Sequence, residues 1–85
     1  MFKEKGFIVI RAARSAPVDL VCLKNGDSLL IECKANKVEF GEKNKKELLK
    51  MAKNAGAKAI LAYRDKRKIF LIDVLRNSHI SLDDQ

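Results

Sequence analysis

The hydrophobic positions of the chain fall into short runs separated by turn residues, and the two central runs predict a β-hairpin. Residues 18–23 are apolar except for Asp19, and residues 29–33 are apolar except for Glu32. The dipeptide Asn25-Gly26 lies between these runs and is the strongest local signal for a two-residue type I′ turn. The chain is therefore expected to fold around a hairpin with one acidic residue in each strand.

Three further apolar runs, rich in β-branched and aromatic residues, predict strands at residues 7–13, 58–64 and 68–74. Residues 1–5 have the character of a last helical turn that ends at Gly6. Residues 35–41 form a polar connection, and residues 75–85 are expected to be a loose polar tail or a short terminal element.

One helix is predicted over residues 42–55, where apolar side chains recur at helical spacing. These side chains are Leu48, Met51, Ala52 and Ala55. Gly56 follows as the expected helix stop. Because the helix joins residues 29–33 to residues 58–64, these two strands should be parallel neighbours. The fold class is therefore α/β, with a mixed β-sheet and a flanking helix.

The central turn determines which side chains share a face of the sheet. If the loop is Asn25-Gly26, Asp19 lies directly opposite Glu32, with Cβ atoms about 4.5–5.5 Å apart. A loop shifted by one residue pairs Asp19 with Lys34 instead. Side chains alternate along a strand, so either register gathers Asp19, Glu32 and Lys34 on one face.

Two facing carboxylates need a cation or a shared proton, and a hard divalent ion such as Mg²⁺ suits them. The simpler alternative is a salt-bridge cluster in which Lys34 neutralises Glu32. The flanking residues are almost all apolar, as in a covered strand, where isolated charges are costly unless they are paired or functional. This pattern favours a metal site.

Length and charge narrow the class of protein. The chain has 85 residues, which predicts one small domain over residues 1–85 whose thin core would benefit from dimerisation. A net charge of +7 favours a polyanionic partner, although a generally basic protein is the alternative. Lysines line the polar face of the helix, which is most often a solvated face and less often a phosphate-tracking surface. They are Lys43, Lys46, Lys50 and Lys53.

The cysteines and the hydropathy pattern predict a cytoplasmic protein. Cys22 and Cys33 are offset along the hairpin, so we expect both to be buried, reduced and unable to form a disulfide. No apolar run approaches the length of about 20 residues that spans a bilayer, so no membrane association is expected.

Two segments of the hairpin resemble a known nuclease motif. Pro17-Val18-Asp19, followed by Glu32-Cys33-Lys34, resembles the PD-(D/E)XK motif. The wider run from Gly6 to Lys34 is similar to the archaeal Holliday junction resolvases, because both have the same ordered set of short motifs. In this chain they are Gly6-Phe7, Ile10-Arg11-Ala12, Ser15, Val18-Asp19-Leu20 and Glu32-Cys33-Lys34. The resemblance implies a restriction-endonuclease-like core that lacks most of the first helix.

The resemblance also implies a role for each matching residue. Asp19 and Glu32 would bind Mg²⁺ or Mn²⁺, with the backbone carbonyl of Cys33 as a further ligand. Lys34 would position and help to deprotonate the attacking water or stabilise charge on the phosphate, and Ser15 would contact the scissile phosphate. The expected DNA-binding residues are Arg11, Arg14, Lys37, Lys43 and Lys46.

The function implied is a metal-dependent, structure-selective DNA endonuclease that acts as a homodimer on branched or four-way junction DNA. The family also has a glutamate on a full first helix, whereas this chain begins five residues before Gly6, and Glu4 is too close to Gly6 to match it. This departure motivates the main alternative, a non-catalytic DNA-binding or adaptor module on a degenerate nuclease fold. A third possibility is a metal-free domain with a salt-bridged hairpin.

Overall fold

The computed structural model describes residues 3–11, apart from the side chain of Glu4, and residues 18–80. The helix α1 spans Glu42–Ala55, and two short 3₁₀ turns span Lys3–Lys5 and Lys37–Glu39. The strands are β1 (Ile8–Arg11), β2 (Leu20–Lys24), β3 (Asp27–Lys34), β4 (Lys58–Asp65), β5 (Lys68–Asp73) and β6 (Ser78–Ile80).

The six strands form one sheet in chain order, from β1 at one edge to β6 at the other. Among the strands of the described residues, only β3 and β4 are parallel neighbours, and α1 connects them, so the predicted mixed α/β fold is confirmed. At the central hairpin, Lys24 pairs with Asp27, and the backbone φ angles of Asn25 and Gly26 are 49° and 84°. The register expected for an Asn25-Gly26 turn is therefore confirmed.

The hairpin between β4 and β5 has the same tight geometry but a different chemical make-up. Asp65 pairs with Lys68, so Lys66 and Arg67 alone form the loop. Their φ angles are 49° and 69°, in the left-handed region that glycine and asparagine adopt most easily. Two long basic side chains are thus held in a backbone conformation that is unfavourable for them.

Hydrophobic side chains pack on both faces of the sheet. On one face α1 covers β3 and β4, with Leu48 and Ala52 buried against Leu30 and Leu61. On the other face the core is built from Phe7, Cys22, Leu29, Ile31, Ile60, Ala62 and Leu71. The helix spans the predicted residues and ends at Gly56, whose φ is 66°. Along the charged strand β3, side chains therefore alternate between two apolar environments.

The structure decides between two alternatives left open for the C-terminal residues and contradicts one expectation for the cysteines. Residues 78–80 form a short terminal element, the strand β6, which pairs with β5, whereas residues 81–85 lie outside the described residues. Cys33 is exposed rather than buried, because it points to the face opposite α1 near the end of β3. Both cysteines are free, and Cys22 is buried as expected. Within residues 3–11 and 18–80, no helix is long and apolar enough to cross a membrane.

Candidate functional site

The N-terminal end of β2 is tied to the C-terminal end of β3 by two hydrogen bonds from and to Asp19. The backbone N–H of Asp19 donates to the carbonyl oxygen of Ile31 at 2.9 Å, which extends the hairpin ladder beyond Leu20. The backbone N–H of Cys33 donates to Oδ2 of Asp19 at 2.7 Å. The exposed Asp19 carboxylate is therefore held against the backbone that immediately follows Glu32.

The second carboxylate of the site belongs to an ion pair within β3. The Lys34 ammonium lies 3.1 Å from Oε1 of Glu32, and the two side chains are 24% and 13% exposed. Glu32 and Lys34 alternate with Cys33, so they point to the α1 face together with Leu30. This partly shielded pair engages Oε1 of Glu32 and leaves its Oε2 available to a further cation.

The charged residues of the site also change the pKa of the Cys33 thiol. Packing around the sulfur raises the pKa of the Cys33 thiol, and the negative charges of Asp19 and Glu32 raise it further. The nearby Arg11 lowers this pKa. The charges of Asp19, Glu32 and Arg11 thus all act on this thiol near the end of β3. The thiol stays protonated at neutral pH and is a poor nucleophile.

The donor set suits a hard divalent cation. Within the described part of the chain, no three side chains of His, Cys, Asp or Glu gather as ligands, so this site offers two carboxylates. Mg²⁺ typically binds one or two protein carboxylates and completes its shell with water and phosphate oxygens. The hydrogen bond to Asp19 and the ion pair to Glu32 engage Oδ2 and Oε1, which leaves Oδ1 and Oε2 as the oxygens that could hold such an ion.

Comparison with known proteins identifies the family. A family model described as archaeal Holliday junction resolvase (Hjc) matches residues 1–83. The chain belongs to this family. As a resolvase-family protein it is a structure-selective nuclease of DNA recombination and repair, as the motifs of the hairpin predicted.

A solved resolvase has a similar fold. The structure of Hjc, a Holliday junction resolvase from the archaeal hyperthermophile Archaeoglobus fulgidus, matches with a TM-score of 0.69 and 24% sequence identity. The match covers 87% of this chain and 70% of that chain. A comparison with curated proteins gave no match. The structural similarity supports the restriction-endonuclease-like α/β core.

The expected DNA-binding residues of this Hjc-family chain are distributed over several elements. Arg11 ends β1 and is exposed on the face opposite α1, near Cys33 rather than beside Glu32. Lys37 is exposed in the 3₁₀ turn that follows β3, and Lys43 and Lys46 are exposed on α1. Ser15 and Arg14 lie outside the described residues.

Sequence reasoning missed a second group of residues beside the Hjc-type carboxylates. Tyr63 of β4 is the register partner of Lys34, and Phe70 of β5 is the partner of Tyr63. The basic turn between β4 and β5 follows directly; its exposed cations are Arg64, Lys66, Arg67 and Lys68. The sequence indicated a turn at residues 65–67. It did not show that the residues around this turn lie next to Lys34, because that position depends on the parallel β3–β4 register, which no turn fixes.

Proposed function

We propose that the protein is a Mg²⁺- or Mn²⁺-dependent endonuclease that cuts four-way DNA junctions as a homodimer. The hydrogen bond between Cys33 N–H and Asp19 carries this proposal, because it holds the first carboxylate next to the strand segment that bears Glu32 and Lys34. Two carboxylates and an ammonium within one hairpin are the parts that metal-assisted phosphodiester hydrolysis requires.

Each residue has a distinct role in this proposal. Oδ1 of Asp19 and Oε2 of Glu32 would hold the ion, together with the backbone carbonyl of Cys33. When bound, the ion would lower the pKa of a bound water and neutralise negative charge that develops on the phosphate. The rigid hairpin ladder fixes both carboxylates, so little reorganisation is needed during the reaction.

Lys34 would act on the reacting phosphate. Its ammonium, 3.1 Å from Glu32, is close enough to donate a hydrogen bond to the attacking water or to a phosphate oxygen beside that carboxylate. A positive charge at this position stabilises negative charge that grows in the transition state. Ser15 would contact the scissile phosphate in keeping with the family motif.

DNA binding would rest on backbone contacts. Arg11, Lys37, Lys43 and Lys46 are all exposed and present positive charge on several elements. Contacts to phosphates fix the position of a protein on DNA but carry no base information, which suits an enzyme that recognises junction shape. Arg14 is expected to add a further phosphate contact.

An exposed apolar patch supports the homodimer. Ile8, Ile10 and Leu23 are 64%, 49% and 36% exposed, and they lie on the α1 side of the edge strand β1 and its neighbour β2. The helix packs on β3 and β4, away from this patch. Clustered apolar side chains at a protein surface are typical of an interface, and a second copy would place two active sites on one junction.

The test compares cleavage of an end-labelled four-way junction with cleavage of a matching linear duplex. Each substrate is incubated with Mg²⁺, Mn²⁺ or EDTA, using the wild-type protein, Asp19→Asn and Glu32→Gln. Two matched control variants carry the same chemical changes elsewhere: Asp27→Asn in the central hairpin and Glu47→Gln on the exposed surface of α1.

We expect paired, metal-dependent nicks in the junction alone. Asp19→Asn and Glu32→Gln should abolish cutting while they retain junction binding, and both control variants should cut at the wild-type rate. Cleavage in EDTA, or a wild-type rate in either site variant, would contradict the metal-site assignment. Binding without cleavage by the wild-type protein would instead support the DNA-binding adaptor alternative.

A further inference from the structure

The aromatic rings of Tyr63 and Phe70 form a stack on the surface of the sheet. Their centroids are 5.5 Å apart and their planes differ by 22°. Both side chains are half-buried, and the exposed His79 of β6 meets Phe70 edge-on, with the ring centroids 5.8 Å apart. The three rings form a cluster on the outer three strands that is open to solvent along one side.

This cluster begins one strand away from the candidate nuclease site. Lys34, Tyr63 and Phe70 are consecutive register partners across β3, β4 and β5. Neighbouring strands lie about 4.7–4.9 Å apart, and register partners point to the same face of a sheet. Since Phe70 stacks on one side of the Tyr63 ring, the other side of that ring faces the strand that carries Lys34.

A cationic side chain and an aromatic pair therefore lie side by side on the α1 face of the sheet. Lys34 of β3 adjoins Tyr63 of β4, and Tyr63 stacks on Phe70 of β5. Such a mixture suits a ligand that carries both negative charge and a flat ring.

The adjoining β4–β5 turn carries further positive charge, on residues whose backbone is strained. Lys66 and Arg67 have φ angles of 49° and 69°, and with Lys68, which shares the face of Phe70, they put three exposed cations at the end of the stack. Glycine or asparagine would adopt these φ angles more easily. Backbone strain of this kind is concentrated at functional positions, which indicates a function for the basic side chains at this turn.

We infer that Tyr63, Phe70 and the basic turn from Lys66 to Lys68 form a subsite for an unstacked nucleotide of branched DNA. The inference rests on the proposed nuclease function, and it adds a base-binding surface to that site. A base that leaves its stack can pack on the aromatic rings while the turn contacts the flanking phosphates. Bases in an intact duplex arm are already stacked, so this subsite selects the branch point over linear DNA.

The experiment measures base stacking and affinity separately from cleavage. Four-way junctions carry 2-aminopurine either at the branch point or in the middle of one arm. Binding is followed in EDTA, by fluorescence anisotropy for affinity and by 2-aminopurine emission for stacking. Tyr63→Leu and Phe70→Leu remove a ring, Tyr63→Phe keeps it, and Phe40→Leu makes the same change in a residue that packs against the helix-side core.

We expect the wild-type protein to change the emission of the branch-point probe but not that of the mid-arm probe. Tyr63→Leu and Phe70→Leu should lose this change and bind the junction about 5- to 100-fold more weakly, while duplex affinity is unchanged. Tyr63→Phe and Phe40→Leu should match the wild type. Phe70→Leu decides the test if Tyr63→Leu lowers the melting temperature, since Tyr63 packs against the core.

The inference is overturned if both leucine variants bind the junction as the wild type does and give the same branch-point emission. In that case metal-dependent cutting by the same protein would leave the nuclease proposal intact. A branch-point emission change that depends on Tyr63, in a wild-type protein that never cuts, would support the subsite and contradict the nuclease proposal.

Discussion

The side chain of Asp19 accepts a hydrogen bond from the backbone N–H of Cys33, with 2.7 Å between the nitrogen and Oδ2. This contact joins the residue before β2 to the penultimate residue of β3. The position of the carboxylate therefore depends on the register of the whole hairpin. That register is fixed by the tight turn at Asn25-Gly26, some distance from the site.

We predict that the structural and chemical roles of Asp19 can be separated. Asp19→Asn retains a side-chain oxygen that can accept from Cys33, so it should abolish cleavage with little change in the free energy of unfolding. Asp19→Ala loses the acceptor as well and should lower that free energy by about 0.5–1.5 kcal/mol. Urea denaturation and junction cleavage measure the two effects. Equal stability of the two variants would show that the hydrogen bond contributes little in solution.

A second prediction concerns the ion pair between Lys34 and Glu32. Lys34→Gln removes a positive charge that competes with a divalent ion for Glu32, so Mg²⁺ binding should strengthen by about fivefold. The same change should slow cleavage by about 100-fold or more, because a charge that stabilises the transition state is lost. Calorimetric Mg²⁺ titration and single-turnover cleavage should therefore change in opposite directions.

The control for that experiment is Lys58→Gln, an exposed lysine at the opposite end of the β3–β4 pair. It should change neither quantity. If Lys34→Gln weakened Mg²⁺ binding, Lys34 would be supporting the geometry of the metal site rather than competing for Glu32.

Local signals in the sequence were sufficient to predict the elements that hold the carboxylates. Asn25-Gly26 indicated a two-residue loop for the central hairpin, and a loop shifted by one residue would keep Asp19, Glu32 and Lys34 on the same face. The helix was predicted with its observed bounds, since Leu48 and Ala52 lie on its buried stripe and Gly56 ends it. Hence the alignment of Asp19 with Glu32 on one face followed from short-range chemistry alone.

Features that depend on distant residues were not predictable in this way. The 3-residue strand β6 has too few side chains for a periodic pattern, and it forms by pairing with the free edge of β5. The proximity of Tyr63 to Lys34 depends on a parallel register set by how α1 packs, and no turn encodes it. Cys33 is likewise exposed because the apolar residues that cover its face of the sheet end before it. The hydrophobic character of the cysteine side chain alone did not predict this.

A third prediction tests the apolar patch on β1 and β2. Ile10→Lys should convert a homodimer to a monomer, because it places a charge inside the proposed interface. Ile69→Lys is a closely matched control, since Ile69 is also 49% exposed but lies on the β4–β5 hairpin. Sedimentation velocity at several protein concentrations measures the oligomeric state. A monomeric wild-type protein, or equal effects of the two variants, would argue against this patch as the dimer interface.

A fourth prediction separates strain from function at the basic turn. Arg67 has a φ of 69°, so Arg67→Gly should relieve backbone strain and raise the free energy of unfolding by about 0.5–1 kcal/mol. Arg67→Ala removes the same charge but keeps a Cβ, so it should give no such gain. Both variants should bind DNA more weakly and reduce the salt dependence of binding by about one phosphate contact. If urea denaturation showed Arg67→Gly to be no more stable than Arg67→Ala, the left-handed turn would carry no strain. If both variants bound DNA with the wild-type dependence on salt concentration, Arg67 would not contact DNA.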